Sequence, residues 1–147
     1  KNHVYHDDHM VEGADSSTFK AFNFEFGADA ENLFFQNNIV LGADVSTFEL
    51  IHEQYPTYAK DSKQVYFGNY LGVSPIIEGA DPFTFTPFYD DKNYVEHYSR
   101  DKSHVFFGTK IVSGADLDTF VITSSAGERD YAKDKNHVYT EGVIVLK

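Results

Sequence analysis

The stretch Asp134-Lys135-Asn136-His137-Val138-Tyr139 is the pattern from which this chain is built. Near-copies of it stand at residues 101–106, 61–66 and 29–34, and a copy without its Asp opens the chain at residues 1–5. Self-similarity on this scale is the signature of a repeat architecture, in which one small unit cannot bury its apolar faces alone. The fold therefore follows from the structure of one unit.

A second signature, Gly-Ala-Asp-x-x-Thr-Phe, alternates with the first. It stands at residues 13–19, 42–48, 79–85 and 114–120, and its copies are 29, 37 and 35 residues apart. The Gly suits a positive φ, and the Asp is placed to accept N–H groups two and three residues further on. We predict one helical turn and then a strand, with these segments at residues 19–26, 48–52, 85–89 and 120–123.

The residues between the signatures alternate with the period of a strand, and both faces carry apolar or aromatic groups, so both faces should be covered. Asp, Asn or Gly mark hairpin turns at residues 7–8, 37–38, 108–109 and 141–142. We predict an all-β fold of hairpin and meander units, packed as an open or rolled repeat sheet. A small β-propeller is the alternative. The chain should form a single domain over residues 1–147, with about four units that start and end in a half-unit.

The composition excludes several classes of function. With 12 basic and 23 acidic residues the net charge is −11, which argues against a nucleic-acid or anionic-membrane surface and favours solubility or a basic partner. The absence of Cys removes thiol chemistry. No apolar run approaches the ~20 residues of a spanning helix, so we expect no membrane span.

Taken together, the Asp-Lys-Asn-(His/Tyr)-Val-Tyr pattern and the Gly-Ala-Asp-x-x-Thr-Phe units resemble the DKNYY family of bacterial repeat proteins. Residues 91–95 add a further partial copy, and the drifted copies at residues 30–32 and 62–64 depart from the pattern. The resemblance implies a bacterial protein, often exported or envelope-associated, and it supplies no catalytic residues. Since the chain begins without Met and inside a repeat, we expect the natural product to continue upstream. An export signal removed there would favour the periplasm or cell envelope.

Candidate metal and catalytic residues are few. Only His6, Asp8 and His9, across a hairpin turn, are placed to converge on zinc or nickel, and the favoured interpretation of these residues is an exposed polar turn. The Asp of each Gly-Ala-Asp link would suit a calcium ladder or structural capping, and capping is favoured because no calcium loop surrounds it. The prominent acids recur with the repeat, whereas catalysis needs an acid and a base in different environments. We predict no metal, no cofactor and no enzyme activity, with a glycoside hydrolase as the outside alternative.

The third unit differs from the others by two insertions, at residues 68–75 in a hairpin turn and at residues 87–97. Insertions in repeat proteins lie in loops that often form the binding face. We therefore predict a binding site made of aromatic, acidic and imidazole side chains of this unit: Tyr70, Phe88, Tyr89, Asp90, Asp91, Tyr94 and His97. In the alternative, the insertion is a decayed repeat and these aromatics belong to the core.

The predicted function is surface recognition without catalysis, as a protein-interaction module of the bacterial envelope. Two alternatives stay open. An acidic immunity-type inhibitor would bind a basic toxin or enzyme, since complementary charge speeds association. A carbohydrate-binding module would need two or three exposed coplanar aromatics. A protein partner, possibly basic, is favoured over a carbohydrate.

Overall fold

The computed structural model describes residues 3–53, 56–68, 74–89, 95–123 and 131–146. Strands dominate these ranges, and the only helix in them is a single 3-10 turn at Val45–Thr47. The prediction of an all-β repeat chain is confirmed. Nowhere in the same ranges does a helix have the length and apolar character that crossing a bilayer demands.

The strands form small, separate antiparallel sheets in which neighbours follow chain order, and none of the described sheets closes into a barrel. Each is a meander of hairpins, as the turn chemistry predicts. By contact the chain divides into unit 1, Lys1–Ile76, and unit 2, Ile77–Lys147. The single domain over residues 1–147 stays a prediction.

Unit 1 holds sheets 1 to 3. Sheet 1 is a hairpin, and sheet 2 has four strands. Sheet 3 has three strands, with Ile76 bridged to Tyr66 in the place of a fourth. The bounds are β1 Tyr5–His6 and β2 His9–Met10 in sheet 1; β3 Lys20–Ala21, β4 Phe26–Ala28, β5 Leu33–Phe35 and β6 Asn38–Ile39 in sheet 2; and β7 Glu49–His52, β8 Thr57–Lys60 and β9 Val65–Gly68 in sheet 3.

Unit 2 holds two further four-stranded sheets. The bounds are β10 Thr86–Tyr89, β11 Val95–Arg100, β12 Val105–Phe107 and β13 Lys110–Ile111 in sheet 4; and β14 Val121–Ile122, β15 Tyr131–Lys133, β16 Val138–Thr140 and β17 Val143–Leu146 in sheet 5.

In sheets 2 to 5, the turn between the second and third strands is built on one Asp, and Asp134 shows the arrangement in full. Its Oδ1 accepts the N–H groups of Asn136 and His137, both at 2.7 Å. Its Oδ2 accepts the Asp116 N–H at 2.8 Å and the Tyr139 hydroxyl at 2.7 Å. The three equivalent turns repeat the backbone contacts around Asp29, Asp61 and Asp101. In sheets 2 to 5 one carboxylate thus joins the Gly-Ala-Asp link before the first strand to the turn between the second and third strands.

The Gly-Ala-Asp link supplies the other half of this clamp. Its four glycines have φ between 79° and 82°, the left-handed region that glycine enters without steric cost. Its Asp side chains make short capping contacts, such as Asp15 Oδ1 with the Ser17 N–H at 2.9 Å. In unit 2 the Lys of the repeat adds ion pairs, Lys102 with Asp81 at 2.8 Å and Lys135 with Asp116 at 2.7 Å. These contacts are those expected of structural capping.

In each unit a core lies between two successive sheets. The core of unit 1 lies between sheets 2 and 3, and that of unit 2 between sheets 4 and 5. Equivalent repeat positions fill both cores: Phe26 and Tyr98, Leu33 and Val105, Val40 and Val112, Ala59 and Ala132, and Tyr66 and Tyr139. The same packing of two successive sheets therefore occurs in both units.

The structure corrects two predicted boundaries. The strand expected over residues 19–26 is interrupted, because Asn23 makes a turn between β3 and β4. Its Oδ1 accepts the N–H groups of Glu25 at 3.0 Å and Phe26 at 2.8 Å. The hairpin turn expected at residues 37–38 lies one residue earlier, because Gln36 takes the left-handed conformation (φ 55°) and Asn38 already pairs with Phe35.

Candidate interaction surface

Every four-stranded sheet has two unlike ends. One end holds the Asp turn and the Gly-Ala-Asp link, which are tied together by the hydrogen bonds above. The opposite end, here called the loop end, holds the connection from the first strand to the second and the turn from the third strand to the fourth. Because a meander reverses at each turn, every such connection must lie there. Loops on a rigid scaffold are where binding residues concentrate.

The two insertions found in the third sequence repeat, at residues 68–75 and 87–97, both fall in loop-end connections. One lies between β9 and Ile76, at the loop end of sheet 3. The other spans the link from β10 to β11, at the loop end of sheet 4. Four of the predicted site residues lie outside the described residues: Tyr70, Asp90, Asp91 and Tyr94. The other three lie on β10 and β11.

Phe88, Tyr89 and His97 have unlike surroundings. Phe88 is half-buried against the core of unit 2, with its ring centroid 5.5 Å from that of Phe120 and the Arg100 guanidinium 5.5 Å from its centroid. Tyr89 ends β10 and is 43% exposed. The half-buried ring of His97 lies 5.9 Å from that of Phe107. Of the predicted set, Tyr89 is therefore the described residue that offers most surface to a partner.

A second exposed aromatic pair lies at the loop end of sheet 2, and the sequence reasoning missed it. Phe22 is 41% exposed and Phe24 is 56% exposed, on either side of Asn23. The Asn23 amide donates to Thr57 Oγ1 at 3.2 Å and to the Glu53 carbonyl at 3.3 Å, so sheet 3 holds the turn in place. The signal was Asn23 itself, since Asn favours turns even within an alternating pattern.

Glu25, the next residue, is a buried carboxylate. Only 4% of Glu25 is exposed, and within the described residues neither carboxylate oxygen has a hydrogen-bond partner. Burial raises the pKa of Glu25, and the nearby Thr57 hydroxyl and His6 ring oppose that shift. Gly68 makes the burial possible, because a Cβ there would overlap Glu25 Oε2. Burying an unpaired carboxylate costs stability, so this position is a candidate for function.

His6 completes the surroundings of this turn. Its Nε2 lies 2.8 Å from the Phe24 carbonyl oxygen, and its ring meets the Phe24 ring edge to face with centroids 5.0 Å apart. A cleft of about 60 Å³ is lined by both rings together with Asn23 and Glu25. We call Phe22, Asn23, Phe24, Glu25 and His6 the aromatic turn. It presents apolar rings above an acid, which suits an apolar or cationic side chain of a partner.

The candidate metal ligands His6, Asp8 and His9 lie on the hairpin formed by β1 and β2. His6 and His9 pair directly across the β1–β2 hairpin, but His6 Nε2 is directed at the Phe24 carbonyl oxygen, 2.8 Å away, and Asp8 lies exposed in the turn. Over the ranges that the structure describes, no group of three or more His, Asp or Glu side chains is placed to hold a metal ion.

We expect Glu25→Gln to stabilise the protein at neutral pH. The raised pKa means that folding favours the protonated acid. The contribution of this protonation to the free energy of unfolding is fully present below the unfolded pKa of about 4.3. It is lost as pH rises through the raised pKa of the folded state. Denaturant unfolding should show the variant about 1 kcal/mol more stable at pH 7 and equal to wild type near pH 3.5. The control is Glu31→Gln, at an exposed residue of the turn that Asp29 begins, and it should show no such difference in stability. A Glu25→Gln protein less stable than wild type at pH 7 would contradict the assignment.

Comparison with known proteins adds the family. Neither the curated proteins nor the solved structures contain a match to this chain. The model of the DKNYY family matches twice, over residues 1–70 and residues 58–146, and the two matches together cover nearly the whole chain. The two matches overlap over residues 58–70, which agrees with a chain built of repeats. The chain therefore belongs to the DKNYY family.

Proposed function

We propose that the protein is a non-catalytic interaction module that recognises another protein through the loop ends of its sheets. The Asp turn and the Gly-Ala-Asp link hold each sheet together at one end. The loops at the opposite end differ in length and sequence from one sheet to the next. In unit 1 the aromatic turn makes the main contact. In unit 2 Tyr89 and the neighbouring residues of the predicted set make a further one.

The observation that carries the proposal is the exposure of Phe22 and Phe24 on a turn whose backbone is already fixed. Asn23 accepts two backbone N–H groups, and the Phe22 N–H donates to the Phe26 carbonyl at 2.9 Å. A partner that binds here orders little of this turn, so little entropy opposes binding. Exposed aromatics of this kind are typical anchors of protein interfaces.

Charge indicates the kind of partner. The chain carries a net charge of −11, and the aromatic turn surrounds a buried acid. A partner that brings a Lys or Arg side chain into the cleft beside His6 would neutralise Glu25 and lie against the Phe24 ring. We therefore propose a partner with a basic contact surface, in keeping with either an interaction module or an inhibitor of a basic protein. A place in the bacterial envelope, which the family resemblance suggests, belongs to the same proposal.

The aromatic turn can be tested by capture with a matched control. Wild type, Phe24→Ser and Phe83→Ser would each be immobilised and exposed to a bacterial lysate. Phe83 is 81% exposed and lies in the Gly-Ala-Asp link of sheet 4, at the end of the sheet where no binding is proposed. We expect Phe24→Ser to lose at least nine-tenths of a partner that wild type and Phe83→Ser retain.

Two further measurements separate the alternatives. Raising the salt from 50 to 500 mM should weaken capture of a basic partner, because screening shortens the range of charge attraction. Capture unaffected by Phe24→Ser would contradict the role of the aromatic turn. Binding to glycans but to no protein would favour the carbohydrate-binding alternative. If Glu25 lowers stability but contributes to binding, the Glu25→Gln protein should be more stable than wild type and yet bind the partner less well.

A further inference from the structure

Within the described residues, Glu25 is a buried acid whose surroundings supply no permanently charged partner. Its Oε2 lies against Gly68, and the Thr57 side chain borders the same space, but neither residue carries a charge. Burial raises the pKa of Glu25, and the Thr57 hydroxyl and the His6 ring offset only part of that rise. A carboxylate buried in this way is stabilised by a cation that reaches it.

The cleft beside Glu25 is bordered by apolar side chains as well as by the acid. Its apolar lining residues are Val11, Phe19, Ala21, Phe24 and Phe26. Among the described residues that line the cleft there is no Lys or Arg. Apolar walls beside an acid suit a side chain that is apolar along its length and positively charged at its tip. Lysine and arginine side chains both have this form.

The size of the cleft favours an ammonium group over a guanidinium. The cleft has a volume of about 60 Å³, and one water molecule in the liquid occupies about 30 Å³. An ammonium group and the methylene next to it are each about the size of a water molecule, so together they fill the cleft. A guanidinium is a planar group of several heavy atoms that binds best to both oxygens of a carboxylate. Because Oε2 of Glu25 lies against Gly68, such a two-oxygen contact is hindered.

We propose that the cleft binds the ammonium group of a lysine side chain of the partner, which pairs with Glu25 while its methylenes lie against the Phe24 ring. This inference rests on the proposed function and narrows the partner's contact to one chemical group. Asn23 already holds the backbone of the turn, so the lysine meets walls that are in place. The Phe24 ring is 56% exposed, and an ammonium group beside an aromatic ring is attracted to its face.

Amino-acid derivatives can serve as probes for this site. Nα-acetyl-lysine amide, the corresponding arginine amide and the uncharged norleucine amide would each be titrated into the isotopically labelled full chain at pH 7 and constant ionic strength. The amide signals of Phe24 and Glu25 in two-dimensional NMR report binding. We expect the lysine amide to bind with a dissociation constant on the order of millimolar. The arginine amide should bind several-fold more weakly, and the norleucine amide should leave these signals unchanged.

Glu25→Gln keeps the shape of the side chain and removes its charge, so it should weaken binding of the lysine amide about tenfold or more. Glu31→Gln removes the same charge from an exposed residue and should bind the lysine amide as wild type does. The inference would be overturned by a lysine amide that does not bind, that binds Glu25→Gln equally well, or that binds no better than the arginine or norleucine amide.

Failure of this inference is distinguishable from failure of the proposed function. Capture of a protein partner that Phe24→Ser leaves unchanged would contradict the interaction surface itself. Capture that Phe24→Ser abolishes, together with a lysine amide that does not bind, would keep the interaction surface and reject the ammonium site.

Discussion

Replacing Asp134 by Ala should lower the free energy of unfolding by about 3–5 kcal/mol, because it leaves four donors without their acceptor. The side chain of Asp134 is 0% exposed and accepts from three backbone N–H groups and the Tyr139 hydroxyl. Denaturant unfolding followed by circular dichroism measures the loss. Asp118→Ala removes the same charge from an exposed residue of the neighbouring link and should cost less than about 0.5 kcal/mol.

The same carboxylate makes the stability depend on pH. Burial alone would raise the pKa of Asp134, but the hydrogen bonds from Asp116, Tyr139, Asn136 and His137 outweigh it and hold the pKa far below its usual range. Its contribution is therefore present above the unfolded pKa of about 3.9 and is lost as pH falls through the folded pKa. The gap between wild type and Asp134→Ala should be constant near neutrality and should narrow below about pH 4. A gap that widens in acid would contradict this role.

Replacing Phe120 by Ala should also cost about 3–5 kcal/mol, because it opens a cavity in the core of unit 2. Phe120 is 5% exposed, and its ring centroid lies 5.4 Å from those of both Tyr98 and Tyr139. Thermal or denaturant unfolding gives the value. Phe83→Ala is the matched control, since Phe83 is 81% exposed and its truncation should change stability by less than about 0.5 kcal/mol. Equal losses in the two variants would contradict the packing described for sheets 4 and 5.

The repeat was readable from the sequence because its contacts are short in sequence and recur. Asp134 lies five residues before Tyr139, and both belong to the quoted pattern. The Gly-Ala-Asp link was also readable, because a Gly with positive φ and a capping Asp leave a local signature. The partner of the Asp116 N–H was missed. That hydrogen bond joins the two signatures across 18 residues, and no local rule relates them.

The aromatic turn shows why the candidate site was harder to predict. Phe22, Phe24 and Phe26 continue the alternation of a strand, so the period concealed the break at Asn23. The burial of Glu25 depends on Thr57 and Gly68, which belong to sheet 3. Residues so distant in sequence meet only through the stacking of sheets. When a neighbouring repeat buries a polar residue, the sequence around that residue gives no sign of the burial.

In each of sheets 2 to 5 one buried carboxylate holds the Asp-turn end together, and we propose that the loop end binds the partner. Amide hydrogen exchange tests the role of these carboxylates most directly. The N–H groups of Asp15, Asp44, Asp81 and Asp116 lie outside the strand ladders, yet each donates to a turn Asp at 2.9, 2.7, 2.9 and 2.8 Å, respectively. We expect these four amides to exchange as slowly as those of the central strands. Fast exchange at the four Asp amides would contradict this role.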